Sequence, residues 1–191
     1  MKRNFVKLCN LLDVTYEGET DEQRKAWVER FDPSRYLARA RMPVLFVNGT
    51  NDFAYPLDSY QKSFDAVPGA KQLRVSVNLP HGHPQGWAPT EIGLFIDHHL
   101  GRGSALPILA DPNIENGRVR VAVKSETKLK QAALHYTTDG DAINKRTWKT
   151  VAGTIDGDSL SVDAAPSEAT VWFVTVTDER DALVSTRMMI R

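Results

Sequence analysis

The hydrophobic and polar positions of this chain change rhythm near residue 103. Upstream, stripes at helical spacing alternate with short apolar runs. Downstream, most segments alternate with period two. Residues 1–40 read as helical. Thr20 is a candidate N-cap, with Asp21 and Glu22 in the first turn, where carboxylates complement the helix dipole. Ala26, Trp27, Arg30 and Phe31 continue the stripe, and Asp32-Pro33-Ser34 closes that helix and opens a short one with Tyr36 and Leu37 inward. Pro43-Val44-Leu45-Phe46-Val47-Asn48-Gly49 is a continuous apolar run ending in turn residues, the pattern of a strand buried on both faces in a parallel sheet. Tyr60, Phe64 and Val67 share one face of a helix predicted over 55–67, and Leu73, Val75 and Val77 mark a strand over 72–78. Residues 80–89 read as a loop rich in Gly, Pro and His. A last helix over 91–100 is capped by Thr90, with Ile92, Phe95, Ile96 and Leu100 inward. The order is β-α-β-loop-α, the end of an α/β fold.

Beyond the break, residues 118–123, 132–136, 159–162, 171–176 and 183–188 alternate, and Asp139-Gly140 and Asp156-Gly157 mark turns. Short alternating strands at this spacing predict an antiparallel sandwich of immunoglobulin or fibronectin type. Gly101-Arg102-Gly103-Ser104-Ala105-Leu106-Pro107 reads as a hinge. The expected organisation is therefore an α/β portion over 1–103 and a β-sandwich over 107–191.

Composition narrows the functional classes. The 191 residues carry 24 basic and 24 acidic side chains, so no electrostatic footprint for nucleic acid or an anionic membrane is expected. No apolar run is long enough to span a bilayer, and Met1-Lys2-Arg3-Asn4-Phe5-Val6-Lys7 lacks the apolar stretch of a signal peptide; the compartment stays open. The single Cys9 has no partner for a disulfide or a thiolate cage. No cofactor or resident metal is expected.

Two segments carry candidate chemistry. Asp52 follows the end of the first strand, the edge where functional groups gather in open α/β sheets. Its structural alternative is an Asx turn. His81 and His83, in Leu79-Pro80-His81-Gly82-His83-Pro84-Gln85-Gly86-Trp87, follow the end of the second strand. If those strands pair, the acid and a histidine become neighbours, the Asp–His half of a nucleophilic triad. Spacing does not separate His81 from His83, and the following glycine favours His81. His81-x-His83 with Asp52 also has the donor types for a divalent metal, without a fourth ligand at diagnostic spacing. Trp87 is placed to roof a substrate pocket or to anchor the last helix.

Through Pro43–Asp52, Pro80-His81-Gly82-His83 and Glu91-Ile92 to Phe95, residues from about 32 to 100 resemble the C-terminal part of an α/β-hydrolase. The resemblance is closest to the dienelactone hydrolase, acetyl xylan esterase and prolyl oligopeptidase-like group. It implies a partial α/β-hydrolase sheet followed by an immunoglobulin-like domain, with Asp52 as triad acid and His81 or His83 as base. It further implies a small-molecule or carbohydrate ester as substrate. The nucleophile elbow Gly-x-Ser-x-Gly does not occur in the chain. The implied enzyme is therefore an esterase-type hydrolase, or a remnant of one, whose serine is absent from this sequence. Because two strands alone are marginal in water, the chain is expected to associate with itself or with a separate N-terminal hydrolase half.

The competing readings are a glycoside hydrolase, with Asp52 and Glu91 as guessed carboxylates in an oligomeric cleft, and a non-catalytic module binding carbohydrate or a partner. Trp148 is then either a sugar-stacking platform or, more in keeping with its pattern, part of the core or a domain interface. Trp172 reads as core. Gly157-Asp158-Ser159-Leu160 and Asp97-His98-His99 match esterase and phosphoesterase motifs only as letters, and Asn48-Gly49-Thr50 is a formal glycosylation sequon poorly placed at a sheet edge.

Overall fold

The computed structural model describes residues 20–142 and 145–191. The readings placed on the first residues and on Cys9 lie outside them. The architecture is mixed: among the described residues the α-helices lie between Asp21 and His99, and strands occur in both halves. Helix α1 (Asp21–Phe31) starts as its sequence dictates: the Thr20 hydroxyl accepts from the Gln23 N–H while the Gln23 side chain accepts from the Thr20 N–H. Helix α2 (Ser34–Leu37) follows, and Tyr36 is exposed rather than inward.

Strands β1 (Val44–Gly49) and β2 (Lys71–Ser76) pair in parallel, from Val44 opposite Lys71 to Gly49 opposite Ser76. Helix α3 (Leu57–Ala66) crosses between them and lays Tyr60 and Phe64 edge-on against Phe46, with ring centroids 5.6 and 5.5 Å away. The predicted loop after β2 contains a short helix, α4 (His83–Trp87), before α5 (Thr90–His99). Helix α5 faces inward through Glu91, Leu94 and Phe95, whereas Ile96 and Leu100 are exposed. The apolar pattern misplaced this face because its most buried residue is a carboxylate. Glu91 Oε1 accepts from the Leu183 N–H at 2.6 Å, and Oε2 lies 3.3 Å from Arg74 Nε, an ion pair without hydrogen-bond alignment.

The second half forms two antiparallel sheets. One contains β6 (Leu129–Thr137), β7 (Lys149–Ala152), β10 (Val171–Asp178), β11 (Leu183–Ser185) and β12 (Met189–Ile190), with β10 central. The other contains β3 (Ile108–Leu109), β4 (Asn113–Glu115), β5 (Arg118–Lys124), β8 (Thr154–Asp156) and β9 (Ser159–Asp163). Val119, Val121, Leu160 and Val162 of one sheet meet Leu134, Trp172, Val174 and Val176 of the other in a single apolar cluster. The Gly157-Asp158-Ser159-Leu160 letters fall in the β8–β9 hairpin, where Gly157 adopts φ +54°.

Strand β10 is buried along nearly its whole length. Trp172, Val174 and Val176 face the other sheet. Val171 and Phe173 face the first half of the chain and join Phe46, Leu57, Val67, Leu73 and Val75 in a second cluster. Trp148 lies against Phe173, centroids 5.6 Å apart, so its role in the fold is core packing. Ser185 ties the halves through the backbone edge of β2, donating to the Leu73 carbonyl and accepting from the Val75 N–H.

The segment read as a hinge is anchored on both sides. Gly101 and Gly103 turn the chain with positive φ, but Leu106 is buried and Gln72 donates to the Leu106 and Pro107 carbonyls. Arg180 donates to the carbonyls of Ser104 and Ala105 at 2.9 Å while paired with buried Asp178. Burial alone would raise the Asp178 carboxyl. Hydrogen bonds from Arg180, Thr127 and the Ala182 N–H outweigh it and hold the carboxyl below its usual range. Among the described residues no helix is long and apolar enough to cross a membrane.

Candidate functional site

The parallel register of β1 and β2 brings the loops after Gly49 and Ser76 to one rim. Their approach is close: a Cβ on Gly49 would lie 2.2 Å from the Leu79 carbonyl oxygen, so only glycine fits there without displacing the backbone. Further bonds fix the loops. Asn48 accepts from the Gly49 N–H and donates to the Tyr55 carbonyl, and Thr50 Oγ1 accepts from the Asn78 N–H while donating to Asn51. Asn78 takes the left-handed conformation, φ +58°, that reverses the chain after β2. Asn48 and Thr50 are buried, so the sequon is closed in the folded chain.

At this rim His81 Nδ1 lies 2.9 Å from Asp52 Oδ2. The other carboxylate oxygen, Oδ1, accepts from the N–H groups of Ala54 and Tyr55 at 2.8 and 2.9 Å. Asp52 therefore serves the Asx-type turn and the histidine at once, one oxygen each. The carboxylate is nearly buried, whereas about a third of the His81 side chain is exposed. A carboxylate on Nδ1 selects the tautomer protonated there and leaves the lone pair on Nε2. No protein group among the described residues hydrogen-bonds Nε2. The arrangement is an imidazole held on one nitrogen by a carboxylate and partly exposed to solvent.

Aromatic rings surround it. Phe53 and Tyr55 lie 5.0 and 5.9 Å from the imidazole centroid, and both remain substantially exposed. Tyr60, beneath the loop, donates to the Val47 carbonyl at 2.6 Å. Burial, reinforced by the Asp52 charge, pushes its phenol up to about 12 and keeps it protonated. From the second half, the Arg146 carbonyl accepts from Asn51 Nδ2 at 3.1 Å, so the segment before β7 touches the Asp52 loop. That contact spans 95 residues, and no sequence spacing announced it.

The other candidates lie apart from this pair. His83 opens α4 and is exposed, and Trp87 closes the same helix with 74% of its surface exposed. Glu91 is 2% exposed and committed to Leu183 and Arg74, which removes it as the second acid of a carboxylate pair at a cleft. Among the described residues no three His, Cys, Asp or Glu side chains gather to hold a metal ion. His98 and His99 end α5, with His98 Nδ1 3.2 Å from the Gly103 carbonyl.

Residues 15–149 match the family model of the PhoPQ-activated pathogenicity-related protein. Among solved structures, pectate lyase PelI from Erwinia chrysanthemi, crystallised with tetragalacturonic acid, is similar at 15% identity and a TM-score of 0.28. The likeness covers 44% of this chain and 28% of that one, and carries no argument at that level. No curated protein matches. The family match corrects the expected kinship with the dienelactone hydrolase, acetyl xylan esterase and prolyl oligopeptidase-like group. It takes in both rim loops, the very residues on which that resemblance rested. A strand-end acid and a strand-end histidine are a local geometry, and a few residues of that kind do not identify a family.

Proposed function

The chain belongs to the PhoPQ-activated pathogenicity-related protein family, and from that premise we propose that it hydrolyses carboxylic esters through the Asp52–His81 pair. The observation that carries the reading is the 2.9 Å contact between Asp52 Oδ2 and His81 Nδ1, with Oδ1 pinned by two backbone N–H groups and Nε2 without a hydrogen-bond partner among the described residues. His81 Nε2 takes a proton from a water molecule, or from a hydroxyl on a second polypeptide, as its oxygen bonds to the ester carbonyl carbon. The carbonyl electron pair moves onto its oxygen. When that tetrahedral species collapses, the alkoxide leaves and the imidazolium returns the proton to it. With water the products are acid and alcohol; a hydroxyl nucleophile gives an acyl intermediate that water clears by the same steps. Asp52 stabilises the imidazolium without accepting its proton. Trp87, exposed one short helix away, is the candidate to contact the substrate beyond the scissile bond.

Two further elements complete the proposal. The paired antiparallel sheets are read as an immunoglobulin-like sandwich, supported by their common apolar cluster. The chain is also read as associating, because β1 has a strand on only one of its edges among the described residues. Sedimentation at micromolar concentration is expected to show an assembly, and a clean monomer would remove that element.

The test of the activity is hydrolysis of p-nitrophenyl acetate. General-base catalysis contributes about 10²–10⁴-fold, so His81→Ala is expected to lose that factor and Asp52→Asn a large part of it, with His83→Ala near the parent rate. Activity indifferent to both His81→Ala and Asp52→Asn would overturn the reading.

A further inference from the structure

We infer that the site selects esters carrying a neutral aromatic ring beside the scissile bond; this rests on the hydrolase reading for the reaction but not for the binding. The Phe53 and Tyr55 rings stand at 5.0 and 5.9 Å from the His81 centroid, tilted by 60° and 38°. Their exposures of 42% and 57% leave apolar ring surface open directly beside the base. The backbone that carries them is held in a closed turn. Phe53 and Tyr55 sit in the turn closed by Asp52 Oδ1, and Asn48 holds the Tyr55 carbonyl. A flat ligand ring stacked or packed edge-on at the usual 4.5–7 Å from either ring therefore lies next to His81.

The polar groups of the rim decide the chemical class. A sugar stacks its C–H face on an aromatic ring but also needs side chains for its hydroxyl groups. Here Asn48, Thr50 and Asn51 all make hydrogen bonds within the protein, to Gly49, Tyr55, Asn78, Arg146 and one another. Phe53 has no polar atom, and the Tyr55 hydroxyl is the one polar tip on the pair. A carboxylate-bearing ligand meets the Asp52 charge, and among the described residues only His81, when protonated, pairs a cation with that carboxylate. A neutral aromatic ring is the partner that these groups favour.

The experiment compares benzyl acetate, n-butyl acetate and a methyl glucoside 6-acetate, each kcat/KM divided by the ester's hydroxide-catalysed rate. Benzyl acetate is expected to be favoured by about fivefold, the scale of one aromatic pair. The ratio is expected to fall toward one in Phe53→Leu and Tyr55→Leu, which keep the backbone N–H groups that hold Asp52. A second readout is independent of turnover: benzyl alcohol should shift the His81 ring protons in NMR spectra of the parent and much less in the two leucine variants. Equal corrected rates for the three esters, or preference for the sugar ester, would overturn the inference, as would an unchanged His81 shift in the variants. Benzyl alcohol binding that depends on the two rings, with no hydrolysis of any ester, would support the aromatic site and refute the hydrolase reading alone.

Discussion

His135 offers a pH test of the packing between the two halves. It stands opposite Phe173 in the β6–β10 register, with ring centroids 5.0 Å apart, on the sheet face that meets the first half of the chain. Its nitrogens lie 2.9 Å from the hydroxyls of Thr150 and Thr175. Burial lowers its pKa from 6.5 to about 4. The unfolded chain therefore binds a proton that the folded chain refuses between those values. Stability is complete above about pH 6.5, falls as pH drops toward 4, and falls no further from this group below it. Two-state linkage with those two pKa values gives a loss of about 2 kcal/mol between pH 7 and pH 5. Urea denaturation across that range, on the parent and on His135→Gln, isolates the effect because glutamine does not titrate. The parent is expected to lose about 2 kcal/mol more than the variant. Parallel curves for the two proteins would show that His135 faces solvent and would contradict its burial beside Phe173.

Two other perturbations test the framework behind the site. Glu91→Gln leaves Arg74 buried without its counter-charge and is expected to cost about 3–5 kcal/mol, whereas Glu91→Gln with Arg74→Met should recover much of that loss; an additive pair of urea midpoints would refute the coupling. Gly49→Ala drives a methyl group into the Leu79 carbonyl, with an expected cost of about 1–3 kcal/mol and a loss of ester hydrolysis larger than the loss of folded protein; unchanged stability and turnover would contradict the close approach.

Much of the first half was legible because its signals are local. Thr20 with Gln23 makes a capping box, the run before Gly49 makes a buried strand, and Leu73 and Val75 alternate in β2. The same order of elements put Asp52 and His81 on one rim, since parallel pairing aligns the ends of successive strands. Which histidine meets the carboxylate was not legible from spacing; it is His81 that lies on Asp52, while His83 opens α4. Buried polar contacts also escaped the pattern. Glu91 enters the sequence reading as a guessed cleft carboxylate, and its burial shows once Arg74 and Leu183 are placed around it. The run Val171-Trp172-Phe173-Val174 reads as one more sandwich strand until the first half covers its outer face. Short strands such as β3, β4 and β12 carry too few residues to show a period.

The central claim is the contact between the Asp52 carboxylate and His81 Nδ1, and the imidazole tautomer reports it most directly. In a long-range proton–nitrogen NMR spectrum of the parent protein above the titration of its histidines, His81 is expected to carry its proton on Nδ1, with that proton shifted strongly downfield. A proton on Nε2, or an Nδ1 resonance unchanged in Asp52→Asn, would contradict the account.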